Sequence, residues 1–256
     1  MNNKNNNVNL INTIIKYLSI FSKERKTGIY EPKLISKPNG KRILVLSPHF
    51  DDEVIGCGGT IAKHIKSGDD VSIIYFTDGT NSIPDIKNKK KIKEIRKNES
   101  LNAMKIMGVK NISFLDQIDG RLIPNKKSIN MIIQILKKSN PDIVYLPWFF
   151  DNHFDHLNTN KVFFESCKNY GFDFNICAYE VWTPLIPNII VDIGDVFELK
   201  QKALLCFKSQ LRYNDYIRIF TGLNMYNTRY NLNGESYAEA FLYLSAREYF
   251  KLMNLL

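Results

Sequence analysis

The sequence predicts an α/β fold, a mostly parallel sheet with helices on both faces. Three observations carry this reading. Short apolar runs of strand length recur at 43–47, 71–76, 112–115, 143–146, 176–182 and 189–191. Segments of helical character lie between them, at 54–66, 89–107, 128–138 and 157–170. Strands alternating with helices in this way build a parallel sheet covered on both sides. Stop signals fall where the helices should end: Gly68 and Gly108 sit at C-cap positions, and Asn140-Pro141 closes the third helix.

Taken in order, residues 1–25 form an N-terminal extension. It is Asn-rich and polar at first, and 8–20 then reads as an amphipathic helix packing on the body. The α/β core spans 42–192. Beyond it, 193–256 reads as helical, with long helices at 196–209 and 235–254. Between these two, 213–233 is rich in Tyr, Asn and Arg and reads as a surface excursion facing substrate. No internal repeat or long linker divides the chain, so 1–256 is expected to be one domain.

Composition narrows the class. With 256 residues, 44% hydrophobic and 24% charged, the chain can bury a full core. No run approaches the roughly 18 apolar residues of a spanning helix, and no small-residue cleavage site follows the N-terminal segment. The four cysteines, Cys57, Cys167, Cys177 and Cys206, have no C-x-x-C spacing and fall in apolar segments. Buried free thiols in a reducing, cytoplasmic compartment are expected. The net charge is +9. Its densest run, 87–97, interleaves Lys with Ile92 and Ile95, as a helix with a solvated basic face would. Nucleic acid is therefore not the expected partner. Attraction to an anionic substrate or peripheral contact with a membrane surface fits the charge better.

The chemistry concentrates in two short segments. His49-Phe50-Asp51-Asp52-Glu53 follows the first strand, and His153-Phe154-Asp155-His156 follows the loop after the fourth. Together they hold three of the chain's four histidines. Imidazole beside carboxylate is a metal-ligand set, suited to zinc or another first-row ion. A catalytic zinc takes three protein ligands and leaves a position for water. Two nitrogens and one carboxylate would come from His49, one of Asp51 and Asp52, and one histidine of the second cluster. Such an ion lowers the pKa of water to about 7. The spare aspartate can then serve as general base, and the spare histidine can stabilise an oxyanion or protonate the leaving group. Asp155 can orient a histidine from behind or cap the helix that follows. His64 lies on the first helix, away from both segments, and reads as unrelated to the metal. Trp182, Tyr213 and Tyr216 are aromatic candidates for stacking on a sugar ring.

The ordered set of segments resembles the PIG-L / LmbE-like family of zinc-dependent N-acetylglucosaminide deacetylases. PHFDDE resembles the family's first motif and HFDH its second. Thr77-Asp78-Gly79, Arg96 to Glu99 with Met107-Gly108-Val109, Asp119-Gly120, Tyr179-Glu180, Ser209-Gln210 and Tyr237 to Phe241 resemble its other landmarks. The match covers about 42–245. It implies a Rossmann-like sheet, with zinc (or ferrous iron) held by His49, Asp52 and His156. It implies Asp51 as general base, His153 as the residue at the oxyanion or leaving amine, and Arg96 and Asp119 as contacts to the sugar. Three positions depart from the pattern. Phe50 and Phe154 stand where the family has proline, which predicts less pre-organised turns and altered walls of the site. Asp151 stands where some members have a tyrosine, so no tyrosine acid is expected.

The implied reaction is hydrolysis of an N-acetyl group from an amino-sugar conjugate. The positive charge favours a nucleotide- or lipid-phosphate-linked one. A non-heme iron oxygenase would fit the two histidines and a carboxylate, but it belongs on a β-barrel and leaves the second aspartate idle. A binding module on the same fold would not need Asp51. An amidase acting on a non-sugar N-acyl group is the closest rival within hydrolases.

Overall fold

The structure is a computed structural model that describes residues 15–17, 31–169, 171 and 173–254. Of the helix predicted at 8–20, residues 15–17 are helical and Tyr17 is buried against Trp148, Phe149 and Phe150. The rest of that element and of the 1–25 extension lies outside the described residues, apart from these three.

The strands are β1 (Lys33–Ile35), β2 (Arg42–Ser47), β3 (Asp70–Thr77), β4 (Asn111–Gln117), β5 (Ile143–Pro147), β6 (Asn175–Tyr179), β7 (Ile189–Asp192) and β8 (Ala238–Ser245). The helices are α1 (Asp52–Lys66), α2 (Lys89–Met107), α3 (Lys126–Ser139), α4 (Phe154–Cys167), α5 (Phe197–Leu204), α6 (Lys208–Leu211), α7 (Tyr216–Asn227) and α8 (Ala246–Met253). One sheet holds the strands in the order β1-β7-β8-β6-β5-β2-β3-β4. All pairings are parallel except those of β8, which runs antiparallel between β6 and β7.

Strand residues alternate between two cores. Ile43 and Val45 of β2 face the core built with α1, α2, α5 and α7, while Leu44 and Leu46 face the core built with α3, α4 and α8. Because every central strand is buried on both faces, the strands read as continuous apolar runs. The caps match their sequences. Gly108 ends α2 in the left-handed region at φ 79°, and Asn125 and Ser128 form a reciprocal capping box on α3. The lysines at the start of α2 are exposed while Ile92 is buried, so the basic run is a solvated face.

The path of the chain makes the site. It runs outward from β2 through β3 to β4, then returns to pair β5 on the other side of β2. The crevice at the carboxyl ends of β2 and β5 is the topological switch point where α/β sheets bind ligands. Both histidine segments leave these two strand ends.

The C-terminal part differs from the sequence reading. The segment predicted as one helix at 235–254 is strand β8 followed by the short helix α8. Ala, Glu and Leu favour helix in isolation, but burial on both faces between β6 and β7 overrides that preference. The helix predicted at 196–209 breaks at 205–207, where the chain turns to bury Phe207. The 213–233 excursion contains α7, capped by Asp215 and buried through Tyr216, Phe220, Asn224 and Asn227. Strand β1 was not predicted. It is three residues long and mostly exposed, too short for a pattern. Strand β6 ends at Tyr179 rather than 182, because the next free N–H groups, of Val181 and Trp182, donate to Asp151 instead of to a strand. No helix among the described residues is long and apolar enough to cross a membrane. The four cysteines are free; Cys57, Cys167 and Cys177 are buried and Cys206 partly so.

Candidate active site

The turn after β2 is fixed by its own side chains. Ser47 Oγ donates to the His49 carbonyl at 2.7 Å, and His49 N–H donates to Asp52 Oδ2 at 2.9 Å. Helix α1 begins at Asp52, so Asp51, Asp52 and Glu53 crowd its N-terminal turn, where the dipole favours negative charge. Helix α4 begins earlier than predicted, at Phe154. His153 is its N-cap: its Nδ1 accepts from Asp155 N–H at 3.2 Å. That start places His156 in the first turn, facing the end of β2.

Asp52 sits at the centre. Its Oδ2 lies 3.0 Å from His49 Nδ1 and 3.2 Å from His156 Nε2. His156 is fully buried and neither of its ring nitrogens has a hydrogen-bond partner. Behind His49, Nε2 points at two carboxylates, Asp155 at 3.0 Å and Asp119 at 3.4 Å. Those carboxylates accept further bonds from the backbone of Gly120, Leu122 and Asn81, so they form an anchored cage for an imidazole N–H. With the proton on Nε2, the Nδ1 lone pair of His49 faces Asp52. Two nitrogens thus approach one carboxylate oxygen. A cation resolves that arrangement. A tetrahedral zinc with bonds of about 2.05 Å needs donors about 3.3 Å apart, and the separations from Asp52 are close to this. On these two separations, His49, Asp52 and His156 could hold the ion. The three imidazoles also bring one nitrogen each within 4.8 Å of one another, so His153 borders the same space.

The electrostatics agree. Burial opposes charge on His49, but Asp52, Asp119 and Asp155 outweigh it and hold the imidazole well above its ordinary value. His156 is likewise raised to about 9, burial being outweighed by Asp52 and Asp151. Asp52 is held well below the carboxylate range: burial would raise it, and the two histidines more than reverse that. This pocket stabilises positive charge. Asp51 differs. Burial pushes it above the usual carboxylate range, while Arg96 restrains the rise.

Arg96 is not on a solvated face of α2. It is 1% exposed, and its Nη2 donates to Asp51 Oδ2 at 3.0 Å. Glu99 supports it from behind at 3.5 Å and is itself held by the N–H and hydroxyl of Ser209. Arg96 Nε is buried without a partner. Asp51, Asp52, His49, His153, Arg96 and Asp119 all line one cavity of about 290 Å³. Gly79, Asn81, Ser82, Gly120, Gln210, Trp182 and Tyr216 complete its wall. Trp182 is 45% exposed and meets Tyr216 and Phe220 edge to face. Tyr213 is not in the lining; its hydroxyl donates to Asp85.

Sequence reasoning missed Asn81, Ser82 and Gln210 as lining residues. Each reaches the cavity from a loop or short helix, and only the Ser209-Gln210 pair carried a signal. The expected change of wall at Phe50 and Phe154 is not found. Phe50 is fully buried against Tyr75 and Phe114, Phe154 is 54% exposed, and neither lines the cavity. His64 is apart from the site, between Asp69 and Tyr145.

Comparison with known proteins places this geometry. Residues 44–167 match the family described as PIG-L, GlcNAc-PI de-N-acetylase. The diacetylchitobiose deacetylase of Thermococcus kodakarensis is 33% identical over 187 residues, covering 66% of this chain and 70% of that protein. The structure of the N,N′-diacetylchitobiose deacetylase from Pyrococcus horikoshii superposes with a TM-score of 0.71 at 28% identity, covering 80% of this chain and 84% of that one. The same fold carries other chemistry as well. A 4-carboxy-2-hydroxymuconate hydratase from Pseudomonas putida superposes with a TM-score of 0.66 at 21% identity, over 82% of this chain and 96% of that one. Fold alone does not fix a reaction, but the family match and the relative at 33% identity do more than fold: the chain belongs to the PIG-L / LmbE-like family of N-deacetylases, hydrolases of the amide C–N bond.

Proposed function

We propose that the chain removes the acetyl group from a neutral N-acetylated amino sugar, of the class its diacetylchitobiose-deacetylating relatives act on. The observation that carries this is the convergence of Asp51, His153, His49 and Asp52 on one cavity, with His156 buried against Asp52. Zinc held by His49, Asp52 and His156 would supply Lewis acidity to the acetamide carbonyl and to water.

The protein's own groups have distinct parts. Asp51, its affinity for protons raised by burial, takes the proton of the attacking water as the new C–O bond forms. His153 has its Nδ1 committed to the Asp155 N–H, so its proton sits on Nε2, and that N–H can donate a hydrogen bond to the developing oxyanion. Breaking the C–N bond then needs a proton on the nitrogen, which Asp51 has just acquired. Acetate and a free amine result. Arg96 holds Asp51 in place, and Asp119 is available to sugar hydroxyls.

The cavity wall supports a neutral substrate. Among its described lining residues Arg96 is the one Lys or Arg, and it is already paired with Asp51 and Glu99. Among the described lining residues, a phosphate linked at this site would meet Asp119 and no unpaired Lys or Arg.

The test is acetate release by zinc-loaded protein from N-acetylglucosamine, diacetylchitobiose and nucleotide- or lipid-linked N-acetylglucosamine. Release from the neutral sugars that chelation abolishes and zinc restores is expected. Asp51→Asn should keep zinc and lose turnover by about 10²- to 10⁴-fold. Preference for the phosphate-linked sugars would refute the neutral assignment, and release unaffected by chelation would refute the metal.

A further inference from the structure

We propose that Asp151 is a positioning residue that sets both His156 and the Trp182 wall of the cavity with one carboxylate. This rests on the reading of His156 as a metal ligand. Asp151 is 5% exposed. Its backbone is held at both sides: its N–H donates to Trp148 O at 3.0 Å, and its carbonyl accepts from His153 N–H at 2.8 Å. Its Oδ2 accepts from Val181 N–H and Trp182 N–H, each at 3.0 Å. Its Oδ1 lies 3.5 Å from His156 Nδ1. Both of these atoms are buried and neither has a hydrogen-bond partner.

The chemistry of the pair determines the tautomer. A carboxylate only accepts hydrogen bonds. A neutral imidazole has one proton, and beside Asp151 Oδ1 that proton belongs on Nδ1. The lone pair is then on Nε2, the atom 3.2 Å from Asp52 Oδ2. A ligand histidine is oriented in this way by a carboxylate on its far nitrogen. His49 is held in the mirrored sense, with carboxylates at Nε2 and Nδ1 facing Asp52. At Asp151 the chain departs from family members that carry a tyrosine, and a phenol could not accept two backbone N–H groups and an imidazole N–H together.

The second oxygen extends the effect to the cavity wall. The chain leaves β6 at Tyr179, and the N–H groups of the next turn close on Asp151. Trp148 Nε1 donates to Thr183 O at 2.7 Å, and Asn152 N–H to Thr183 Oγ1 at 3.0 Å, so the two loops are sewn together around the carboxylate. Trp182 is presented by this turn.

Zinc titration against a competing chelator, with thermal unfolding of the metal-free protein, tests this on wild type, Asp151→Asn, Asp151→Ala and His156→Ala. The Asn variant keeps an acceptor oxygen for Val181 and Trp182 but offers an N–H to His156 Nδ1, which pushes the ring proton onto Nε2. It should unfold at nearly the wild-type temperature yet bind zinc about 10- to 100-fold more weakly. The Ala variant should lose both affinity and thermal stability. Wild-type affinity in Asp151→Asn, with binding lost in His156→Ala, would overturn the role of Asp151 and leave the metal site standing. Loss of affinity in the Asn and Ala variants only in step with their loss of thermal stability would also overturn it. Undiminished binding in His156→Ala would overturn the metal site and this inference together.

Discussion

Lysine 200 should be among the most costly residues of this fold to neutralise, although it lies outside the active site. Helix α1 is not continuous: Cys57 has φ −143° and ψ 18°, so two helical segments meet there. The break leaves backbone groups to be satisfied by other elements. Lys200 Nζ donates to Ile55 O at 2.8 Å. Glu239 accepts from Gly59 N–H at 2.8 Å, from Thr60 N–H at 2.7 Å and from Thr60 Oγ1 at 2.6 Å. The two side chains pair at 2.7 Å, and both are fully buried. Anion at the start of the second segment and cation at the end of the first each complement the local dipole. Lys200→Met keeps the stem volume but removes two charge-assisted bonds, at about 1.5–3 kcal/mol each, and strands the Glu239 charge. A loss of about 3–5 kcal/mol is expected, as for other broken buried pairs. Glu239→Gln should cost a similar amount, and the double variant less than the sum of the singles by about 2 kcal/mol. Urea unfolding with an unchanged m-value measures this. A Lys200→Met cost below about 1 kcal/mol, or strict additivity in the double variant, would refute the reasoning.

Three further outcomes are expected. Glu180 is pushed up to about 7, chiefly by burial, so the folded state keeps a proton that the unfolded chain releases above 4.5. Its contribution is therefore complete below pH 4.5 and lost as pH rises to about 7, up to about 3 kcal/mol. Stability of wild type relative to Glu180→Gln should fall across that window, and a difference independent of pH would contradict the assignment. At Gly56 an added Cβ would lie 2.2 Å from Tyr179 Cδ2, and Tyr179 is tied to Leu46 O. Gly56→Ala should destabilise by about 1–3 kcal/mol, whereas Gly222→Ala on α7, where a Cβ meets nothing within 4 Å, should stabilise by about 0.5–1 kcal/mol; the order of their unfolding midpoints checks both. Trp182→Ala should raise KM for diacetylchitobiose by about 2- to 10-fold through lost ring stacking with kcat nearly unchanged, and an unaltered KM would remove Trp182 from the sugar site.

The sheet centre was legible because each strand from β2 to β6 is a compact apolar run closed by a turn signal, and β2 and β5 end on residues that bear chemistry. The two histidine segments were legible for the same reason: their donors are local in sequence. What was not legible depends on contacts distant in the chain. Strand β8 reads as helix until its place between β6 and β7 is known. In α7, Asn224 and Asn227 look like loop residues, yet they are buried and donate to Ala238 O and Glu180 Oε1. Arg96 was singled out only through the resemblance, because its neighbours on α2 are lysines; its burial follows from Asp51 and Glu99, both within ion-pair distance of its guanidinium. A net +9 describes the whole chain, whereas the charged residues among the described lining of the candidate cavity, histidines aside, are three aspartates and one paired arginine.

The loss of both family prolines shows how the turns keep their shape. Proline pre-sets φ and lowers the entropy of the unfolded chain. At Phe50 that restraint is replaced by bonds around the residue. Pro48 O accepts from Thr77 N–H at 3.0 Å and from Thr77 Oγ1 at 2.9 Å, Ser47 Oγ locks the His49 carbonyl, and Asp52 Oδ2 holds the His49 N–H. The ring itself fills the core between Tyr75 and Phe114, at centroid distances of 5.1 and 5.8 Å. A proline there could not make that contact, so the phenylalanine trades a backbone restraint for a packing one. Phe154 lies at the first position of α4, where proline is favoured because the N–H is unneeded. Its neighbour His153 caps the helix through Asp155 N–H, and Asp155 is in turn fixed by Gly120 and Leu122. In both turns the donors to the proposed metal are ordered by side chains that also close the backbone, which is why the motif survives without its prolines.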